Sequence, residues 1–266
     1  MRIVGLGRGF FALASAGLAL MCLAYGDFDP MWHSLDGLPG REVCIDGFAL
    51  LVLAAAAGLY FSRIALPSLW VVGAYSAIWA VIAAPKIFSN PLSFGAWYGL
   101  CEGLSVLAGA GILYALLRWE SGPPIAIQRG VRAAQALFGL MCIFYGASHF
   151  AYADYTAAMV PGWLPGRLTL AYLTGLGHIG AGLGLIVGVL PGLAAILEAA
   201  MMSLFGLLVW VPSFFVQPTP NWATPPQNQW SELVVTAILA ASAWVVAISL
   251  RDRIWTVGRR SRLPVL

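Results

Sequence analysis

Apolar residues occur along this chain in long unbroken runs, separated by short segments that contain most of the charges. Each run is close to the roughly 20 residues that an α-helix needs to cross a bilayer. The runs do not alternate with period two and are rich in Ala, Gly and Leu, which favours helices over strands. The eight runs cover residues 10–25, 47–61, 64–85, 92–117, 133–150, 168–189, 190–215 and 233–250. The pattern predicts an all-α integral membrane protein with eight transmembrane helices, of which the second is the shortest.

Composition agrees with this class, since 61% of the 266 residues are hydrophobic and only 9% are charged. Soluble domains average about half apolar and a quarter charged residues. A lipid bilayer is therefore the first expected partner. The basic C-terminal tail, residues 251–262, fits an anionic lipid surface better than nucleic acid, which is not an expected partner.

The basic residues predict the orientation of the eight helices. Three of them fall on the side opposite the termini, namely Arg41, Lys86 and Arg167. Eleven fall on the side of the termini, namely Arg2, Arg8, Arg63, Arg118, Arg129, Arg132, Arg251, Arg253, Arg259, Arg260 and Arg262. The positive-inside rule then predicts a multi-pass protein of the cell (inner) membrane with both termini in the cytoplasm.

The first run also has the charged and apolar regions of a secretory signal peptide. Arg129 and Arg132 precede a similar run in the middle of the chain, where a signal peptide cannot lie. The first run is therefore interpreted as a retained helix.

An internal repeat divides the chain. The segment MCLAYG at residues 21–26 recurs as MCIFYG at 141–146, and further matches follow in order about 120 to 130 residues later. They pair LPGR at 38–41 with 164–167, Leu66-Pro67 with Leu190-Pro191, Pro85 with Pro212, and the segment 97–102 with Trp230-Ser231-Glu232. The repeat predicts two units, residues 1–120 and 121–266, joined by a proline-containing linker at 120–124. Each unit has four spans, an even number, so both units are expected to have the same orientation in the membrane. The fold expected is therefore two four-helix bundle units that run parallel to each other.

The second unit contains a set of motifs around its first outer loop. Ser148-His149-Phe150 is followed by Met159-Val160-Pro161, by Trp163-Leu164-Pro165, and by a Tyr-x-x-Gly sequence that opens the next helix. The combination resembles the DoxX-like family of small membrane proteins, which are built on four transmembrane helices. The resemblance implies two fused copies and an association with quinone-linked or thiol-linked oxidoreductase systems.

Acidic residues inside the membrane cost at least about 2.5 to 3.5 kcal/mol at its centre, so they are usually paired or functional. Glu102 and Glu232 are equivalent in the repeat and lie near the outer ends of their helices. Glu198 has no counterpart in the first unit, where Ala74 stands. We interpret Glu102 and Glu198 as structural intramembrane acids.

A ligand pocket is predicted in the outer half of the second unit, lined by His149, Trp163, His178 and Glu232 beneath the loops 154–166 and 213–229. One acid, imidazole groups and aromatic walls would suit a quinone headgroup. The alternative is a polar network that only holds helices together. The histidines lack metal-ligand spacing, so no metal is expected, and no catalytic residue can be named.

The four cysteines, Cys22, Cys44, Cys101 and Cys142, form no C-x-x-C motif. Packing of buried thiols is the expected role. A disulfide between Cys44 and Cys101 stays open as an alternative.

The function expected from the pocket and the resemblance is that of a membrane subunit or accessory of a quinone- or thiol-linked redox system. No nucleotide-binding glycine motif occurs in a suitable context, so no intrinsic cofactor is expected, and a redox partner protein or a bound quinone would carry the electrons. The alternative is a non-enzymatic membrane scaffold or a carrier for a small apolar molecule.

The sixth predicted helix has small residues at spacings of three and four, at Gly177, Gly180, Ala181 and Gly184. Such a face lets helix backbones approach closely in lipid. It is predicted to be a helix-packing face.

Overall fold

A computed structural model describes residues 2–27, 39–119, 124–215 and 226–256. Its helices are α1 (Arg2–Tyr25), α2 (Arg41–Gly58), α3 (Ala65–Ala83), α4 (Pro85–Ser89), α5 (Phe94–Arg118), α6 (Ile125–Ala151), α7 (Ala153–Met159), α8 (Arg167–Val187), α9 (Pro191–Phe205), α10 (Val211–Ser213) and α11 (Pro226–Ser249). A π-helical segment, Gly206–Trp210, joins α9 to α10, and a short 3-10 helix, Arg251–Arg253, follows α11. The described secondary structure is helical, which confirms the all-α prediction. The unit boundary at 120/121, most of the linker, the middle of the loop 213–229 and the tail beyond Thr256 lie outside the described residues.

Seven helical segments of the described chain are long and apolar enough to cross a membrane, which supports a multi-pass membrane protein. They are Val4–Tyr25, Ala65–Ser89, Phe94–Arg118, Ile125–Ala151, Arg167–Val187, Pro191–Ser213 and Pro226–Ser249. The second predicted span forms α2, which is not among the seven. Three charged residues, Arg41, Glu42 and Asp46, lie in the first two turns of this 18-residue helix.

The long helices form two closed rings that share a wall. In the first ring each helix packs against the next in the order α1, α2, α3, α5 and α11, and α11 packs back against α1. In the second ring the order is α5, α6, α8, α9 and α11, and α11 packs against α5. The first helix of each predicted unit therefore contacts the last helix of the other unit. The two halves of the chain are interleaved in one body.

Close backbone approach builds the shared wall. A methyl group added to Gly109 of α5 would lie 2.7 Å from Oγ and 2.8 Å from Cβ of Ser242 in α11. Large buried side chains fill the interior of the first ring, including Phe11 of α1 and Trp79 of α3. The Sγ of Cys22 on α1 lies 3.5 Å from the hydroxyl oxygen of Tyr75 on α3, a contact that crosses this ring.

Glycines also bring α6 and α8 together, although they are not the glycines that the sequence indicated. A methyl group added to Gly146 would lie 2.5 Å from the carbonyl oxygen of Gly175, and one added to Gly182 would collide with the carbonyl oxygen of Gly139. The predicted packing face turns toward α9 instead. At Gly180 on that face, an added methyl group would meet nothing within 4 Å.

Candidate functional site

The second ring encloses a cavity of about 620 Å³. Residues from α5, α6, α8, α9 and α11 line it, and the segment between α6 and α8 covers one end. The walls are largely apolar, with side chains such as Met202, Phe205, Val235 and Leu239. Its lining also contains polar and ionisable side chains, namely Tyr98, Glu102, Tyr145, Ser148, His149, Thr156, Thr174, His178, Glu232 and Thr236. The cavity therefore combines largely apolar walls with polar groups, as small-molecule sites do.

His149 stands near the C-terminal end of α6 and is held by α8. Its Nδ1 atom lies 3.0 Å from Oγ1 of Thr174 and 3.2 Å from the carbonyl oxygen of Ala171. A carbonyl oxygen only accepts, so Nδ1 carries the hydrogen and donates it. In the neutral ring this leaves Nε2 as an acceptor.

His178, in the middle of α8, pairs with Glu198 of α9. The Nδ1 atom of His178 lies 2.8 Å from Oε1 and 3.0 Å from Oε2 of Glu198, and each side chain is 1% exposed. The imidazole N–H donates to the carboxylate, which accounts for an acid inside the membrane. Glu198, interpreted from the sequence as a structural acid, thus has a defined partner at the predicted site.

The two imidazoles are neighbours. The ring centroids of His149 and His178 are 5.2 Å apart at an interplanar angle of 73°. The ring of Phe205 packs against both, with centroid distances of 6.0 and 5.8 Å. His178 lies deeper along α8 than the loop end of the cavity, and the cavity extends far enough to include it.

Two carboxyl groups from different halves of the chain line the same cavity. Glu102 of α5 is 7% exposed, and Glu232 of α11 is half-buried. The site is therefore not built from the second unit alone, because α5 of the first unit supplies Glu102 and Tyr98. The hydroxyl groups of Tyr98 and Ser148 lie 2.6 Å apart and fix the wall between α5 and α6.

Trp163 is not brought to the cavity. Its side chain is 70% exposed, in the turn between α7 and α8. Its neighbours Pro161 and Leu164 line the cavity instead, together with Met159 at the end of α7. The segment 154–166 thus contributes Thr156, Met159, Val160, Pro161 and Leu164 to the cavity lining.

The four cysteines are free thiols. Cys44 is exposed on α2, whereas Cys22, Cys101 and Cys142 are buried, so Cys44 and Cys101 are not bonded in this structure. In the part of the chain that the structure describes, no group of three His, Cys, Asp or Glu side chains is arranged to hold a metal ion.

The sequence did contain one signal for the pairing of His178 with Glu198. The turn between α8 and α9 is centred near Gly188, ten residues from each. In an antiparallel helical hairpin, residues equally far from the turn lie at the same height. The contributions of Tyr98 and Glu102 had no such signal, because they depend on how the two halves pack.

No protein-family model matches this chain, and no curated protein or solved structure matches it either. The resemblance to DoxX-like proteins thus stays a prediction from the motifs.

Proposed function

We propose that this chain is an eight-span protein of the cell (inner) membrane, with two parallel four-helix units and both termini in the cytoplasm. Contacts at both ends of α2 support the eighth span. Arg41 Nη1 donates to the carbonyl oxygen of Gly26 at 2.7 Å, and the Tyr60 hydroxyl, just beyond α2, donates to that of Gly9 at 3.2 Å. The helix thus runs beside most of the first span, and its 18 residues measure about 27 Å, close to the thickness of a bilayer core.

The same proposal assigns the cavity to a quinone headgroup, with the protein acting as a membrane subunit or accessory of a redox system. The observation that carries it is that His149, His178, Glu102 and Glu232 all line one largely apolar cavity of about 620 Å³. This volume lies within the range of about 300 to 1,000 Å³ found for small-molecule sites. Apolar walls suit a ligand that arrives from the bilayer.

The residues present fit such a group. Quinone carbonyl oxygens need donors, which protonated carboxyl or tyrosine hydroxyl groups supply. Quinol hydroxyl groups need acceptors, which Nε2 of His149 or an ionised Glu232 supplies. When bound, a quinone would supply two-electron chemistry coupled to two protons. The chain's own groups would orient the ring and exchange protons with its oxygens.

Electrons would reach the site from a redox partner protein. A quinone-linked system is favoured over a thiol-linked one, because three of the four cysteines are buried and only Cys44 is exposed. A thiol exchange reaction requires an accessible thiolate.

Binding tests the proposal directly. The purified protein in lipid nanodiscs is titrated with a benzoquinone that has a decyl tail, and tryptophan fluorescence reports binding because Trp210 lines the cavity. We expect saturable quenching that weakens about tenfold or more in Glu232→Leu and in His149→Leu, since each loses a hydrogen bond to the ligand. The matched control is Glu42→Gln, an exposed acid at the start of α2. Absence of saturable binding in the unmodified protein would contradict the proposal.

A carrier for a small apolar molecule is the second candidate, favoured by the apolar majority of the cavity lining. A carrier would move its ligand between vesicle leaflets without a redox partner. A redox subunit would change the rate of quinone reduction only with its partner present.

A further inference from the structure

A second cavity lies along the outer surface of the hairpin formed by α8 and α9. It also measures about 620 Å³, and its lining contains only Gly, Ala, Val, Leu and Met side chains. Four of the lining side chains, Leu176, Leu183, Val187 and Leu197, are 50% exposed or more. Since both helices are candidate spans, this cavity is an open groove on the membrane-facing surface.

Glycines of α8 keep the groove open. A methyl group added to Gly180 would meet nothing within 4 Å, and one added to Gly177 would meet only Met201, with Sδ at 3.2 Å. Nearer the turn the two helices come closer, because a methyl group on Gly184 would lie 2.9 Å from Cβ of Ala194, and the groove continues there over Val187, Val189 and Leu190. The small residues therefore leave a channel between the helices over their middle turns.

The groove adjoins the polar cavity of the second ring. Leu197 and Met201 of α9 line both spaces. His178 lies one residue from Gly177 on α8, so the deep end of the polar cavity and the near end of the groove share one region of the hairpin.

We propose that the groove holds the hydrocarbon tail of the molecule whose polar headgroup occupies the cavity. The ligand class is an amphipathic, lipid-soluble molecule with a compact hydrogen-bonding head and one linear alkyl or isoprenoid tail, which extends toward the α8–α9 turn. The inference rests on the proposed quinone site and adds the requirement for a tail. A polar occupant is disfavoured because no polar side chain lines the groove to replace its lost hydration.

A leucine at position 180 tests the groove, because it fills the channel without meeting the protein core. The matched control is Gly111→Leu, since a methyl group at this exposed position of α5 also meets nothing within 4 Å. Two probes are titrated into nanodiscs, a benzoquinone with a decyl tail and the same headgroup with a methyl group in its place. We expect Gly180→Leu to weaken the tailed probe about tenfold by steric conflict with the tail, and to leave the short probe unchanged. Gly111→Leu should bind both as the unmodified protein does.

A photoreactive group at the end of the decyl tail provides a measurement without mutation. We expect the crosslinks to fall on peptides of α8 and α9 between Leu176 and Met201. The inference is overturned if Gly180→Leu affects both probes equally or neither, if Gly111→Leu has the same effect, or if crosslinks fall elsewhere. If a phospholipid acyl chain or a second copy of this protein occupied the groove instead, Gly180→Leu would leave the binding of both probes unchanged. If the unmodified protein binds neither probe, the proposed quinone site fails, which is a distinct outcome.

Discussion

The carboxylate of Glu198 accepts a hydrogen bond of 2.8 Å from the imidazole of His178, and neither side chain is more than 1% exposed. Removing one member of such a pair leaves a buried polar group without its partner. Glu198→Leu is therefore expected to lower the free energy of unfolding by about 3 kcal/mol. Thermal unfolding of the purified protein in detergent micelles measures the loss.

The double variant His178→Leu with Glu198→Leu should recover most of this stability, because apolar groups can replace a buried pair at little cost. Glu42→Gln, on the exposed face of α2, should stay within about 0.5 kcal/mol of the unmodified protein. A double variant as unstable as Glu198→Leu alone would show that the two groups are not coupled.

Two glycines of α8, two residues apart, should differ in their tolerance of a substitution by leucine. A side chain at Gly182 collides with the backbone of Gly139 in α6, whereas one at Gly180 meets open space. We expect Gly182→Leu to destabilise the protein by about 3 kcal/mol or to abolish folding, since the backbones must separate. Gly180→Leu should elute and unfold like the unmodified protein. Equal behaviour of the two variants would contradict the packing of α6 on α8.

Labelling of thiols from each side of the membrane tests whether α2 is a span. Cys44 is exposed near the start of α2, and Ser62 is exposed just after its end. If α2 crosses the bilayer, an impermeant maleimide should label Cys44 and a Ser62→Cys variant, made with Cys44→Ser, from opposite sides. Labelling of both from one side would reduce the number of spans to seven.

Native thiol reactivity should be confined to one cysteine. Cys44 is exposed, while Cys22, Cys101 and Cys142 are at most 3% exposed. A maleimide should add once to the folded protein and four times after denaturation, as mass spectrometry can count. A folded protein without an adduct and lighter by two hydrogens would instead show a disulfide between Cys44 and Cys101.

The lengths of the apolar runs predict most of the long helices, since crossing a bilayer constrains length and composition together. The sequence pattern missed α7, because Ala153–Met159 mixes polar and apolar residues at the end of a span. It also missed the π-helical segment Gly206–Trp210. A π-helix differs from an α-helix in its hydrogen-bond spacing, and this difference does not change the apolar composition from which the span was predicted.

The candidate site was predictable only within the second half of the chain. His149, His178 and Glu232 do line one cavity, because short connections fix how consecutive helices pack. Tyr98 and Glu102 join them through the packing of α5 on α6 and α11, which no local pattern encodes. The prediction that Trp163 lines the pocket rested on its sequence motif alone. Two nearby residues, Pro161 and Leu164, line the cavity instead.

The wall that α5 and α11 share determines what either half of this protein could do in isolation. Each ring is closed by one helix that belongs to the other half, so a chain of four helices would leave a gap in its barrel of helices. Two identical four-helix chains could fill each other's gap only as a symmetric pair with two equivalent interiors. A single covalent chain removes that requirement for equivalence. The interior of the first ring is filled by side chains such as Phe11 and Trp79, whereas the second ring contains a cavity lined by Glu102 and Glu232.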